Sequence, residues 1–210
     1  MTFEKFTKLP QEKQDLILSV GIKEFSQKSY NDVKTDIITQ KCGISKGILF
    51  HYFGSKKEFY GYCLSKSMER LVTKTDGVVS ADFYEILFEN MNRKISVCMK
   101  YKDEMHMVNM ASRDAAVEIA QIKAEILAKY KITIRAESAQ MLSGAVNTLK
   151  LKPAHNNQKQ LEGLYIYINA LMNKYLLMYQ ETPDVFFENS ENIKKEMKIY
   201  LDMMLYGICQ

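Results

Sequence analysis

The 210-residue chain has few of the residues that interrupt helices, with 3 prolines and 9 glycines. The prolines are Pro10, Pro153 and Pro183, so no proline breaker stands between residues 11 and 152. Strand signals are sparse, since no alternating runs of β-branched residues flank Asn-Gly or Asp-Gly turns. The four cysteines, Cys42, Cys63, Cys98 and Cys209, are scattered without CxxC spacing. That argues against a zinc site and a disulfide scaffold, and suits a reducing cytosol. His51, His106 and His155 are far apart, and no second ligand sits four residues after His106, so no metal is expected. No apolar run reaches about 18 residues, the length expected of a membrane-spanning helix. The opening MTFEKFTKLPQEKQ lacks the apolar centre of a secretory signal. The expectation is a cytoplasmic protein with no membrane partner. There is no Gly-rich phosphate loop, no GxSxG and no HExxH, so neither an enzyme nor a cofactor is expected.

Excess charge is small, but it is not evenly spread. Residues 1–70 hold 12 Lys/Arg against 8 Asp/Glu, and residues 71–210 hold 17 of each. The whole net charge of +4 therefore lies in the first third, which points to an anionic partner there.

With 47% apolar residues the chain can bury real cores, and their spacing is helical. In 161–179, Leu161, Leu164, Tyr165, Ile168, Leu171, Met172, Tyr175, Leu176 and Tyr179 recur in steps of three and four. In 193–208, Ile193, Met197, Tyr200, Leu201, Met204, Leu205 and Ile208 do the same. The reading is all-α, with helices near 10–28, 35–41, 45–52, 55–76, 81–101, 103–112, 115–148, 157–181 and 189–208, about nine in all. Thr35 and Ser45 are expected as N-caps, and Ser55 with Glu58 forms a capping-box pattern. Pro153 and Pro183 fall in two polar breaks.

The most informative stretch is Thr35 to Lys57, TDIITQKCGISKGILFHYFGSKK. Two short helical runs flank Gly43, which can take positive φ and so allow a tight turn. Ile38, Ile44, Leu49 and Phe53 are spaced to pack the pair onto Ile17, Val20 and Phe25. This is helix-turn-helix patterning, whose second helix lies in a DNA major groove. Ser45 and Lys46 open that helix, where free N–H groups and the dipole favour phosphate. Gly47 permits close approach of backbone, and His51, Tyr52, Lys56 and Lys57 can donate to phosphate oxygens. Base readout is assigned to Thr35, Lys46, Gly47 and Ile48, with Lys46 the donor to guanine.

SKGILFHYFGSKKEF closely resembles the helix-turn-helix signature of TetR/AcrR-family transcriptional regulators, and Tyr30, Val33, Ile37 and Ile38 fall where that family places apolar anchors. The resemblance covers residues 10–65. It implies DNA contacts by Thr35, Ser45, Lys46, Gly47, His51, Tyr52 and Lys56. Phe50 stands where tyrosine is usual, so that phosphate contact is lost, and Thr39 stands where alanine is usual. The implied organisation is a three-helix DNA-binding domain in 1–65, then a larger helical ligand-sensing and dimerisation domain in 66–210.

The last two helices are apolar on more than one face, which calls for a second burial surface. The resemblance makes that surface a homodimer interface carrying Tyr167, Leu171, Met178, Met203 and Tyr206. The competing reading places both helices at the centre of a monomer core. Residues 81–148 are expected to hold an apolar or amphipathic effector against Tyr84, Phe88, Met91, Met105, Met110, Tyr130 and Met141. Methionine suits adaptable pockets, although ordinary core packing explains any one of these residues. The function expected is a ligand-responsive repressor released from a palindromic double-stranded operator. The alternative is a small-molecule binding protein or enzyme that keeps the helix-turn-helix as scaffold.

Overall fold

The computed structural model describes residues 3–72, 80–151 and 158–206. These residues form eleven α-helices and one 3-10 turn, with no strand among them. Two helices exceed the nine expected: α1, Glu4–Thr7, and α10, Pro183–Glu188. Both are under two turns long, too short to show an apolar period. The expected break at Pro183 is instead a helix start, with the proline in the first turn, where its missing N–H costs nothing. The break at Pro153 lies outside the described residues.

The chain packs as two compact units, Met1–Thr73 with Lys100–Ile134, and Lys74–Met99 with Arg135–Gln210. The first contains α1, α2 (Gln11–Gln27), α3 (Thr35–Cys42), α4 (Lys46–Phe53) and α5 (Lys56–Leu71). It also contains α7 (Lys102–Arg113), the 3-10 turn Val117–Ile119 and the first half of α8 (Ala120–Val146). The second contains most of α6 (Phe83–Lys100), the rest of α8, α9 (Gln158–Met178), α10 and α11 (Ser190–Leu205). These units do not divide at residue 65. α5 runs through that point with Leu64, Ser67 and Met68 buried, and α7 packs on both α2 and α5.

The first unit is built around aromatic rings. Phe6, Phe25, Tyr30, Phe53, Phe59 and Tyr60 are buried, and Phe53 lies 4.6 Å from Phe59 and 4.8 Å from Phe6 between ring centres. Tilted pairs at this distance add to the burial of area alone. α5 touches α8 closely at Gly61. A Cβ there would sit 2.3 Å from Ile122 Cδ1, so any larger residue at this crossing obliges the Ile122 side chain to shift. Buried Asp114 follows α7 and joins this packing to the segment between α2 and α3.

The second unit buries Leu164, Ile168, Leu171 and Tyr175 of α9 against Ile193, Met197, Leu201 and Leu205 of α11, with α6 supplying Phe83, Ile86, Leu87 and Met91. The stripes expected in α9 and α11 form this core, except that Leu176 points outward at 63% exposure. Ile208 lies outside the described residues. Among the described residues, no helix is long and apolar enough to cross a membrane.

Candidate nucleic-acid interface

α3 and α4 are joined by Gly43 at φ 62°, the left-handed conformation the turn requires. Gly43 N–H donates to the Gln40 carbonyl at 3.2 Å, and Ile44 N–H to the Thr39 carbonyl at 3.0 Å, which closes α3. α4 begins at Ser45, whose hydroxyl accepts from Ile48 N–H at 3.2 Å. α5 begins in the same way at Ser55, which accepts from Glu58 N–H at 3.1 Å. The expected cap at Thr35 is not formed. Lys34 occupies the cap position without a side-chain bond, and Thr35 is the first helical residue with its side chain buried in the unit.

Burial gives α4 an inner and an outer side, with Phe50 and Tyr52 between them. Leu49 and Phe53 are buried on the helix pair's inner side, and Ile38 meets them from α3. Outward lie Ser45, Lys46, Gly47, Ile48 and His51. Ile48 is 41% exposed and places an apolar side chain on the outer side of α4. A Cβ on Gly47 would meet only Ser45 Oγ at 3.8 Å, so nothing inside the protein demands glycine there. What Gly47 offers is a flat outer surface.

The cations around α4 are not equivalent. Lys46 Nζ lies 3.1 Å from Asp36 Oδ1 of α3, and both side chains are largely exposed. Such a pair is weak, so Lys46 is available to another anion. Lys41 Nζ bonds Glu24 Oε1 at 2.5 Å, while Lys28 reaches the other oxygen at 3.3 Å. Glu24 is buried on α2, and its bond to Lys41 holds its carboxyl below the usual range. This pair fastens the end of α3 to α2. Lys56, expected to meet phosphate, points inward. Its Nζ donates to the Tyr30 carbonyl at 2.6 Å and sits 4.4 Å from the Tyr30 ring centre. Burial lowers its pKa. Tyr52 is half-buried, its ring 6.1 Å from that of Phe6.

Of the eight residues assigned to DNA, Ser45, Lys46, Gly47, Ile48 and His51 therefore come together on one exposed surface. Thr35 is buried, Tyr52 is divided between surface and core, and Lys56 holds a loop. Sequence reasoning passed over Lys34, which is exposed at the start of α3. A cation is electrostatically unfavourable at a helix N-terminus, and that local conflict was a usable signal.

The residues assigned to an effector are divided between the units. Tyr84, Phe88, Met91 and Met141 belong to the second. There Tyr84 and Phe88 stack at 5.8 Å, the Tyr84 hydroxyl donates to Asp202, and Lys198 Nζ lies 4.4 Å from the Tyr84 ring centre. Met105, Met110 and Tyr130 belong to the first unit, and the Tyr130 hydroxyl donates to the Ser65 carbonyl at 3.2 Å. Tyr60 also belongs to the first unit. Its hydroxyl is buried without a partner among the described residues, and burial raises its pKa.

Of the residues assigned to a dimer, Leu171 is buried in its own unit and Tyr167 donates to the Tyr200 carbonyl at 2.9 Å. Met178, Met203 and Tyr206 are exposed, and Ile166, Leu177 and Ile199 join them as large exposed apolar residues of α9 and α11.

Residues 17–63 match the sequence profile described as bacterial regulatory proteins, tetR family. An uncharacterised HTH-type transcriptional regulator of Bacillus subtilis, YuxN, is 32% identical over 103 residues. That match takes in 44% of this chain and 35% of that relative, so the chain aligns with about a third of its length. A TetR-family transcriptional regulator from Chloroflexus aurantiacus has a similar fold at TM-score 0.56 and 20% identity, over 99% of this chain and 98% of that one. A tetR-family regulator from Streptomyces coelicolor superposes at TM-score 0.61 and 16% identity, over 94% and 82%. These similar proteins are described as regulators of transcription, not as enzymes.

Proposed function

We propose that this chain, a TetR-family regulatory protein by its N-terminal domain, is a ligand-responsive repressor that binds a palindromic operator as a homodimer. The observation that carries the reading is the division of α4. Leu49 and Phe53 lock the helix inward, leaving Ser45, Lys46, Gly47, Ile48 and His51 exposed along its outer side. Such a helix enters a major groove with its N-terminal residues toward base edges. Lys46 supplies a donor to guanine, Ile48 an apolar contact, and the amides at Ser45–Lys46 a phosphate site.

The exposed apolar residues of α9 and α11 support the dimer. Leu177 at 71% and Met203 at 70% exposure would be costly to leave in water, and a two-fold partner covers equivalent surfaces at once. In such a dimer the two copies of α4 must stand about 34–36 Å apart to meet successive half-sites.

An apolar or amphipathic effector is the proposed signal. The unpaired Tyr60 hydroxyl supports a polar handle inside the first unit, because an unsatisfied buried donor costs about 1–3 kcal/mol that a ligand acceptor would recover. α7 packs on α2 and α5, so a rearrangement of α7 reaches the helix-turn-helix without leaving that unit. The effector works only through different affinities for the bound and released arrangements. The test is selection of genomic fragments by the purified cytoplasmic protein. A recurring inverted repeat is the expected outcome. Recovery of fragments with no shared sequence would overturn the operator reading.

A further inference from the structure

We infer that Asp114 and Glu118, far from the helix-turn-helix in sequence, are positioning residues for DNA binding that act through Tyr30. The inference rests on the proposed DNA-binding role and names the joint by which the segment between α7 and α8 holds the segment leading into α3.

Tyr30 lies between the end of α2 and the start of α3, and every polar group it has is occupied. Its N–H donates to Asp114 Oδ2 at 2.6 Å. Its hydroxyl donates to Glu118 Oε1 at 2.7 Å. Its carbonyl accepts from Lys56 Nζ at 2.6 Å, and the same ammonium lies 4.4 Å from its ring centre. The ring is 1% exposed, stacked at 6.4 Å with Phe25 and edge-on to Tyr60 at 5.5 Å. Two distant pieces of chain, residues 114–118 and the start of α5, thus converge on one residue, placed five positions before α3 begins. Val33, also buried, follows it, so little freedom remains between this anchor and Thr35.

Asp114 is suited to the task in a way no neutral residue reproduces. Its Oδ1 accepts from Ala116 N–H at 2.9 Å while Oδ2 accepts from Tyr30 N–H. Both oxygens face backbone donors. An asparagine at this position must turn its own NH2 toward one of them, so one bond is lost and a donor opposes a donor. Glu118 needs only an acceptor for the Tyr30 hydroxyl, which glutamine supplies.

The test compares affinities for a duplex selected from a random library by the wild-type protein and for a shuffled duplex of equal composition. Asp114→Asn should weaken binding to the selected duplex about ten-fold and change the shuffled duplex by less than about two-fold. Amide exchange at Tyr30 should quicken while α2 and α5 keep their protection. Tyr30→Phe and Glu118→Ala should each reduce selected binding by a few fold, and Glu118→Gln should restore it. Should Asp114→Asn fail to fold, the Tyr30→Phe, Glu118→Ala and Glu118→Gln set decides alone. An unchanged ratio of selected to shuffled affinity in the folded variants overturns the inference. A wild-type protein that selects no duplex overturns the DNA-binding reading instead.

Discussion

Replacing Gly61 by alanine tests whether α5 and α8 meet as closely as the structure requires. In an ordinary helix interior the change stabilises by about 1 kcal/mol, because alanine is the better helix former. Here the new Cβ would lie 2.3 Å from Ile122 Cδ1 and 3.0 Å from its Cγ1. Ile122 is 7% exposed and cannot swing into water. Overpacking of this kind costs about 1–3 kcal/mol, and so short a contact belongs at the upper end. The expected net effect is a loss of about 1–2 kcal/mol. For a chain of this size each kcal/mol moves Tm by about 2–4 °C.

The same geometry predicts a rescue. Ile122→Val removes the Cδ1 atom, at a cost of about 1 kcal/mol alone. In that background Gly61→Ala should be close to neutral, giving a coupling of about 1–2 kcal/mol between the sites. Thermal unfolding of the four proteins, followed by calorimetry, measures the cycle. A Tm that rises in Gly61→Ala alone, or equal losses in both backgrounds, would refute the reasoning.

Glu24 links stability to pH. Lys41 first, and Lys28 with it, hold its carboxyl below the usual 4.5. Its contribution is therefore complete above that value and disappears as pH falls through the lower folded value. With both lysines about half exposed, Glu24→Gln should cost about 1 kcal/mol at pH 7, and the Tm gap from wild type should close towards pH 3; a gap that ignores pH would contradict this assignment. Asp36→Asn should release Lys46 from its ion pair, raising affinity for the selected duplex about two- to five-fold and for a shuffled one by less; an unchanged selected affinity would show that the ion pair is without effect. Leu177→Glu combined with Met203→Glu should keep the helical content of the chain and convert a dimer to a monomer in sedimentation equilibrium, since both side chains are exposed in the single chain. A variant that remains dimeric would move the interface elsewhere.

The helix-turn-helix was legible because local rules agree there. Gly43 takes the turn, Ser45 caps α4, Ser55 caps α5, and Leu49 and Phe53 fall on the buried side. Thr35 misled because threonine before a helical run reads as a cap, whereas the chain buries it one position inside α3. Lys56 misled for a tertiary reason, since its partner is a backbone carbonyl 26 residues away. The packing of α7 onto α2 carried no local signal. Its amphipathic pattern states that one face is buried but not against which helices. The Asp114 and Tyr30 contact spans 84 residues, and neither position carries a local signal of it.

The proposed regulatory role requires α4 to be a DNA-reading helix. The direct measurement is binding of wild type and Lys46→Ala to a selected duplex across a range of salt concentrations. Wild-type affinity should fall steeply as salt rises, with a log–log slope of about −0.9 for each phosphate neutralised. Lys46→Ala should lose about 1–3 kcal/mol on the selected duplex and much less on a shuffled one, as expected for a base contact. Wild-type binding that is indifferent to salt, or a Lys46→Ala variant that binds both duplexes as wild type does, would contradict it.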